Sequence, residues 1–276
     1  MGALDARIAV VTGASRGIGV GIARRFAAEG ATVVVVARTL EAHDKLPGSL
    51  RETVAMIERD GGRAHALTAD LTDPGSRRGL IERCAQAAGG APHILVNNAA
   101  AAIYLPLAGY PAKRFNLSIE LNLHAPLDLA QQCLPAMMER GEGWILNISS
   151  ATAKHPARPY LPWDVAGGSG IYGASKAALN RMSAALAAEL LQHNIAVNTL
   201  APVSAVLTPG VEMLGIDQSD PNFRTEPVEA MAEAALVLCS ERAAVRTGET
   251  TYSVEFLRRI GRTVRGLDGT GEISID

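Results

Sequence analysis

The sequence predicts an α/β protein: a doubly wound, seven-stranded parallel sheet flanked by helices and formed as a single domain. Three observations carry that expectation. Short β-branched runs alternate with longer segments of helical period, a glycine-rich turn joins the first run to the first helix, and the longest irregular segments all follow predicted strands.

The strands fall at 7–12, 32–37, 63–69, 92–97, 143–149, 195–201 and 250–254. The second, Thr32-Val33-Val34-Val35-Val36-Ala37, is apolar at successive rather than alternate positions, as a strand covered on both faces must be. Between them, helices are predicted at 18–29, 50–60, 74–88, 112–139, 172–192 and 228–240. Right-handed crossovers then put helices on both sides of the sheet. Loops at 38–49, 151–170 and 202–226 leave the carboxyl ends of strands, where open α/β sheets bind ligands. The last is punctuated by Pro202, Pro209, Gly210, Gly215 and Pro221 and carries the apolar Met213, Leu214, Ile216 and Phe223, a pattern expected of a lid.

Composition narrows the function classes. The 276-residue chain is 48% hydrophobic and 20% charged, with a net charge of −2, so neither nucleic acid nor an anionic membrane has an electrostatic claim on it. No apolar stretch reaches membrane-spanning length and no basic-then-apolar leader opens the chain, which predicts a cytoplasmic protein. Cys84, Cys133 and Cys239 are widely separated and lack CxxC spacing, and the histidines show no HExxH pattern. Packed thiols and no metal site are expected.

The first strand runs into Thr12-Gly13-Ala14-Ser15-Arg16-Gly17-Ile18-Gly19. Here Gly13 permits the sharp turn, Gly17 lets the backbone approach a pyrophosphate, and Gly19 lets the helix pack on the strand. The N–H groups of the helix N-terminus face the anion. This is the logic of a Rossmann-type dinucleotide site, with GxxxGxG in place of GxGxxG. The second strand ends without the acidic residue that grips a ribose 2′-hydroxyl; Arg38 and Thr39 follow instead. A guanidinium there binds a 2′-phosphate, and Arg16 reaches the same region, so NADP(H) is favoured while NAD(H) stays an alternative.

Tyr172 and Lys176 stand one helical turn apart at the start of the long helix 172–192. A phenol titrates near 10, and a nearby cation favours phenolate, which makes Tyr172 a candidate general acid or base.

With these motifs the chain resembles the short-chain dehydrogenase/reductase family over residues 7–248. TGASRGIG at 12–19, Asp70-Leu71, Asn97-Asn98-Ala99-Ala100, Asn122, Asn147-Ile148-Ser149-Ser150, Tyr172 with Lys176, and 198–202 occur in the family's order. The resemblance implies that Asp70 and Leu71 lie beside the adenine, that Asn98, Ala99 and Ala100 line the cofactor, and that Asn122, Ser150, Tyr172 and Lys176 form a catalytic tetrad. In it Ser150 holds the substrate oxygen, Lys176 holds the nicotinamide ribose, and Asn122 orders a water. The activity implied is hydride transfer between a nicotinamide and an alcohol or carbonyl carbon. A nucleotide-binding sensor without turnover is the alternative from another class.

Departures from the family pattern sharpen the expectations. Ala100 replaces the glycine that ends the usual NNAG, and Val203 replaces the glycine after Pro202; both pairs of positions adjoin the nicotinamide. Residues 154–169 lengthen the chain between Ser150 and Tyr172 and are expected to shape the substrate side. Tyr160 is nearer the serine but has Asp164 where a lysine is needed. The usual glycine pair after the last strand is absent, because Ser253-Val254-Glu255 follows Tyr252. The insertion at 43–48 and the ILNISS strand resemble the subgroup of hydroxysteroid dehydrogenase-like proteins and citronellol/citronellal dehydrogenases, which implies an apolar or lipid-like alcohol or carbonyl as substrate. The family also implies a homotetramer or dimer joined through 112–139 and 172–192.

Overall fold

The valine-rich runs pair as parallel neighbours in the computed structural model, which describes residues 2–41, 47–160, 165, 167–208 and 225–275. Strands β1 (Ile8–Thr12), β2 (Thr32–Ala37), β3 (Arg63–Thr68), β4 (Ile94–Asn97), β5 (Gly143–Ile148), β6 (Ile195–Ala201) and β7 (Thr250–Tyr252) form one sheet in the order β3-β2-β1-β4-β5-β6-β7. Every neighbouring pair is parallel. Chain order reverses between β1 and β4, which opens a crevice at their carboxyl ends.

Helices cover both faces: α1 (Gly17–Ala28), α2 (Leu50–Arg59), α3 (Leu80–Ala88), α4 (Ala112–Ile119), α5 (Ala125–Arg140), α6 (Gly170–Leu190), α7 (Val228–Leu238) and α8 (Ser253–Ile260). Alternate side chains of one strand therefore serve two cores. Val33 and Val35 pack with Ile22 and Phe26 of α1 and Met231 of α7, while Val34 and Val36 pack with Leu80 and Cys84 of α3 and Leu129 of α5. Cys84, Cys133 and Cys239 are all buried and unpaired.

A buried ion pair fixes the helix that opens at the glycine turn. Arg25 Nε of α1 lies 2.8 Å from Glu233 Oε2 of α7, and both side chains are fully buried. Arg262 Nη2 reaches the other oxygen of Glu233 at 2.7 Å. A lone buried charge would be strongly destabilising, so this cluster makes the α1–α7 packing cooperative.

Three predicted elements are corrected. The helix expected over 74–88 breaks into Pro74–Arg77 and α3, because Gly79 adopts φ +63°. The helix expected over 112–139 contains a π-turn at Glu120–His124, in which the Ala125 N–H reaches back to the Glu120 carbonyl. Pro126 has no N–H to continue the ordinary ladder, which favours the extra residue in the turn. The last strand ends at Tyr252 rather than 254, and α8 begins at once. Val254, Phe256 and Leu257 are buried there, and Gly261 ends the helix in a left-handed conformation. Among the described residues no helix is long and apolar enough to cross a membrane.

Candidate active site

At the crevice, two turns are locked together by short polar side chains. Thr12 Oγ1 accepts hydrogen bonds from the N–H groups of Asn98 (3.0 Å) and Ala99 (3.1 Å) and donates to the Val96 carbonyl at 3.2 Å. Asn98 Nδ2 donates to the carbonyls of Thr12 (2.9 Å) and Gly13 (3.2 Å). Gly13 has φ +66°, and a Cβ there would meet Ala99 Cα at 2.8 Å. Only glycine lets these backbones approach so closely.

A cleft of about 410 Å³ results. Its walls include Gly13, Ser15, Arg16, Gly17 and Ile18 from the first turn, Arg38 and Thr39 after β2, Asp70 and Leu71 after β3, and Asn98, Ala99 and Ala100 after β4. Gly19 does not line it; a Cβ there would lie 2.5 Å from the Gly13 carbonyl oxygen, so Gly19 serves the helix–strand contact. Pro202 and Val203, expected beside the nicotinamide, do not line it either. The Val203 N–H instead donates to Glu226 Oε2 at 3.0 Å, and Thr208 takes a place on the cleft wall.

The polar groups of the cleft fit a dinucleotide. Gly17 has φ +59° at the opening of α1, where a helix N-terminus presents free N–H groups to an anion. Arg16 Nη2 donates to the Gly48 carbonyl at 3.3 Å, while its buried Nε has no hydrogen-bond partner among the described residues. Asp70 Oδ1 accepts from the Thr72 N–H at 2.9 Å and hydroxyl at 2.7 Å. Burial pushes this carboxyl up, but the Thr72 hydrogen bonds and the Arg38 guanidinium outweigh it, holding the group below its usual range. Arg38 thus stands across from an acidic wall, with no carboxylate at the end of its own strand.

The second group of predicted residues converges beside the start of α6. Tyr172 and Lys176 are buried there, and Asn122 is fully enclosed in the π-turn. Asn122 Oδ1 accepts from the Ala101 N–H at 2.8 Å, and its Nδ2 donates to the Ala101 carbonyl (3.1 Å) and to Ser175 Oγ (3.0 Å). Lys176 Nζ donates to the Ile148 carbonyl at 2.7 Å. The Ser150 side chain adjoins the Tyr172 phenol and lowers its proton affinity. Ser149, by contrast, is buried, and its hydroxyl has no hydrogen-bond partner among the described residues.

One electrostatic expectation is overturned. Lys176 does not draw the Tyr172 phenol towards phenolate in this state. Its Nζ lies 5.9 Å from the ring centroid and is committed to a carbonyl, while burial pulls the ammonium itself down to about 8. The Tyr172 phenol is pushed well above its ordinary value by burial and by Tyr104, against which only the Ser150 hydrogen bond works. The arrangement holds a neutral, proton-bearing phenol away from solvent.

Tyr104, absent from the sequence-based set, packs its ring 5.5 Å from that of Tyr172 at a 57° tilt. Its segment is tied to the long loop by the Leu105 N–H donating to Gly168 O at 3.0 Å. Nothing in the local pattern at 101–107 announces this contact, which depends on two loops meeting. Thr72 was more legible, since Asp70-Leu71-Thr72 has the spacing of an Asx turn. Tyr160 is half-exposed under Arg158, 5.8 Å away, and far from the role of Tyr172. Residues 42–46 of the first insertion, Asp164 of the second, and 209–224 of the expected lid, with Met213, Leu214, Ile216 and Phe223, lie outside the described residues.

A parallel sheet with a glycine turn at its switch point defines a Rossmann-type, dinucleotide-binding architecture. Comparison with known proteins makes this specific. The family model described as short chain dehydrogenase matches residues 7–217, and the chain belongs to the short-chain dehydrogenase/reductase family of NAD(P)-dependent oxidoreductases. It is 33% identical over 260 residues to hydroxysteroid dehydrogenase-like protein 2 of Xenopus tropicalis, covering 94% of this chain and 58% of that protein. It is 32% identical over 255 residues to a fatty acyl-CoA reductase of Acinetobacter baylyi, covering 90% of this chain and 80% of that one. The chain spans little more than half the length of the hydroxysteroid dehydrogenase-like relatives. Among solved structures, a 3-oxoacyl (acyl-carrier-protein) reductase from Agrobacterium tumefaciens with NADP bound superposes with a TM-score of 0.74 at 32% identity, over 90% of this chain and 93% of that one.

Proposed function

We propose that this protein interconverts an alcohol and a carbonyl with NADP(H), using Tyr172 as the proton carrier. The observation that carries the reading is the convergence of the buried Tyr172 phenol and the Ser150 side chain beside Lys176 and the enclosed Asn122. When bound, the nicotinamide supplies or accepts the hydride. The protein's own residues do the rest. In the reductive direction Tyr172 gives its proton to the substrate oxygen, Ser150 holds that oxygen, and the dry walls strengthen both hydrogen bonds.

Lys176 takes part by proximity and charge. With an ammonium drawn down to about 8 by burial, it would gain from an added hydroxyl partner, and Lys176 is the residue that would hold the cofactor ribose. Asn122 rigidly links the Ala101 backbone to Ser175, and we assign it the support of a water path from Lys176.

NADP(H) preference is supported by Arg16 and Arg38 on the cleft wall and by the lack of a carboxylate at the end of β2. An apolar substrate is supported by the exposed Tyr104 and Leu107 beside the loop that carries Gly168 and Gly170. The named activities of the hydroxysteroid dehydrogenase-like and fatty acyl-CoA relatives lean the same way. We read the chain as one domain and as a homo-oligomer joined through α4, α5 and α6, which light scattering on the purified protein tests.

The function is tested with a panel of apolar alcohols and carbonyls, followed at the NADPH absorbance, alongside fluorescence titrations with NADPH and NADH. Turnover of at least one apolar pair, with tighter NADPH than NADH binding, is expected. Tight nucleotide binding without turnover of any panel member would instead identify a sensor.

A further inference from the structure

Ser150 is held in a way that its role as a hydrogen-bond partner of Tyr172 does not by itself require. Ser150 Oγ accepts from the Thr152 N–H at 3.2 Å and from the Thr152 hydroxyl at 2.9 Å. A serine hydroxyl offers one hydrogen and two acceptor sites. With both acceptor sites filled by Thr152, what Ser150 has left to offer the phenol is its hydrogen.

Thr152 is itself seated from the opposite side. It lies in the turn Ala151–Ala153, and its carbonyl oxygen would be 2.5 Å from a Cβ placed on Gly173. Gly173 immediately follows Tyr172 in α6, so the absence of a side chain there lets the turn rest against the helix at the phenol. Thr152 is thus clamped between Ser150 Oγ and the α6 backbone.

We propose that Thr152 is a positioning residue that turns the single Ser150 hydrogen towards the phenol, where it serves the phenol oxygen or the substrate oxygen that takes the proton. The inference rests on the assignment of Tyr172 as proton carrier. Its consequence is directional. If Ser150 could accept from Tyr172, it would tie up the proton that must be transferred; as a donor it leaves that proton free and stabilises the phenolate left behind.

Thr152→Val keeps the shape and the backbone N–H but removes the hydroxyl. The phenol can be read without a substrate, from the Tyr172 Cζ resonance of protein labelled with carbon-13 tyrosine and assigned through Tyr172→Phe. That resonance should move in Thr152→Val, return in Thr152→Ser, and stay put when Thr152→Val is added to Ser150→Ala. In alcohol oxidation, kcat should fall about 10-fold and the rising limb of its pH profile move up by about one unit, the scale of one hydrogen bond. The NADPH Kd should change by less than about 2-fold, since Thr152 does not line the cleft.

An unmoved Tyr172 resonance, or a shift equally large in the Ser150→Ala background, overturns the inference. Retained turnover in Tyr172→Phe overturns the underlying assignment instead, and the two failures are read from different variants.

Discussion

The two ends of the sheet solve the same problem in opposite ways. At the amino edge, where β1, β4 and β5 begin, long side chains close the ends on one another. Arg7 pairs with Glu142 at 2.7 Å and stacks 4.3 Å over the Trp144 ring, and Trp144 Nε1 donates to the Glu241 carbonyl at 2.6 Å. His93 Nδ1 accepts the Ile8 N–H at 3.1 Å, and Arg140 Nη2 donates to the Pro92 carbonyl at 2.9 Å. At the carboxyl edge the work falls to threonine, asparagine and glycine. Their bonds run turn to turn, as from Thr12 to Asn98, and leave a cleft between them. Strand ends always present backbone groups that need partners. Long side chains fill that space; short ones keep it open for a ligand.

That contrast predicts which property each edge controls. The largest effect belongs to Tyr172→Phe, which deletes the transferable proton but keeps the ring. It should lower kcat by about 10²- to 10⁴-fold while the NADPH Kd and melting temperature stay near wild type. A loss of melting temperature of similar weight would erase the distinction between the edges. Arg38→Asp comes next. Replacing a guanidinium that can bind a 2′-phosphate should cut the NADPH-over-NADH preference by about 10- to 100-fold, the scale of one charge-assisted hydrogen bond, as read from fluorescence titrations. Unchanged discrimination would hand the role to Arg16 or Thr39.

At the amino edge the sign of the expectation reverses. Trp144→Phe removes the donor to the Glu241 carbonyl and part of the platform under Arg7, so urea unfolding should show a loss of about 1–3 kcal/mol with kcat unchanged. The smallest effect is a pH dependence. Burial first, then Arg140 and Arg7, pull the His93 imidazole down to about 4, so the folded state resists a proton that the unfolded chain accepts near 6.5. Stability from this group is complete above 6.5 and drains away as the pH falls towards 4. Partial exposure limits the effect to about 1 kcal/mol. His93→Gln should flatten that slope in urea titrations at graded pH, and an unaltered slope would assign the acid sensitivity elsewhere.

Legibility in the sequence followed the range of the interactions. The boundaries of β2 and β6 match the residues expected: β2 is built on four successive valines, and β6 is a largely apolar segment punctuated by Asn194 before it and Pro202 after it. Helix α8 was missed where a strand was extended to Val254, although Val254 and Leu257 keep helical spacing and Gly261 supplies a stop. The break at Gly79 and the π-turn were hidden inside good helical periodicity. Of the proposed site residues, those on the glycine turn other than Gly19 and those after β2, β3 and β4 meet at the cleft, whereas the Val203 N–H is taken by the buried Glu226.

What the sequence determined by itself was most of the alternation of strands and helices, the glycine turn at the first crossover and the one-turn spacing of Tyr172 and Lys176. Those follow from local periodicity, from backbone angles that glycine alone adopts readily, and from the spacing of side chains along one helix. Tertiary structure decided the electrostatics: that Lys176 is committed to the Ile148 carbonyl, that burial and Tyr104 keep the Tyr172 phenol protonated, and that Thr152 reaches Ser150 while its carbonyl rests on Gly173. A proton's affinity depends on the solvent removed and the dipoles that surround it. Those are set by segments distant in sequence, and they exist only once the loops at the carboxyl edge have met.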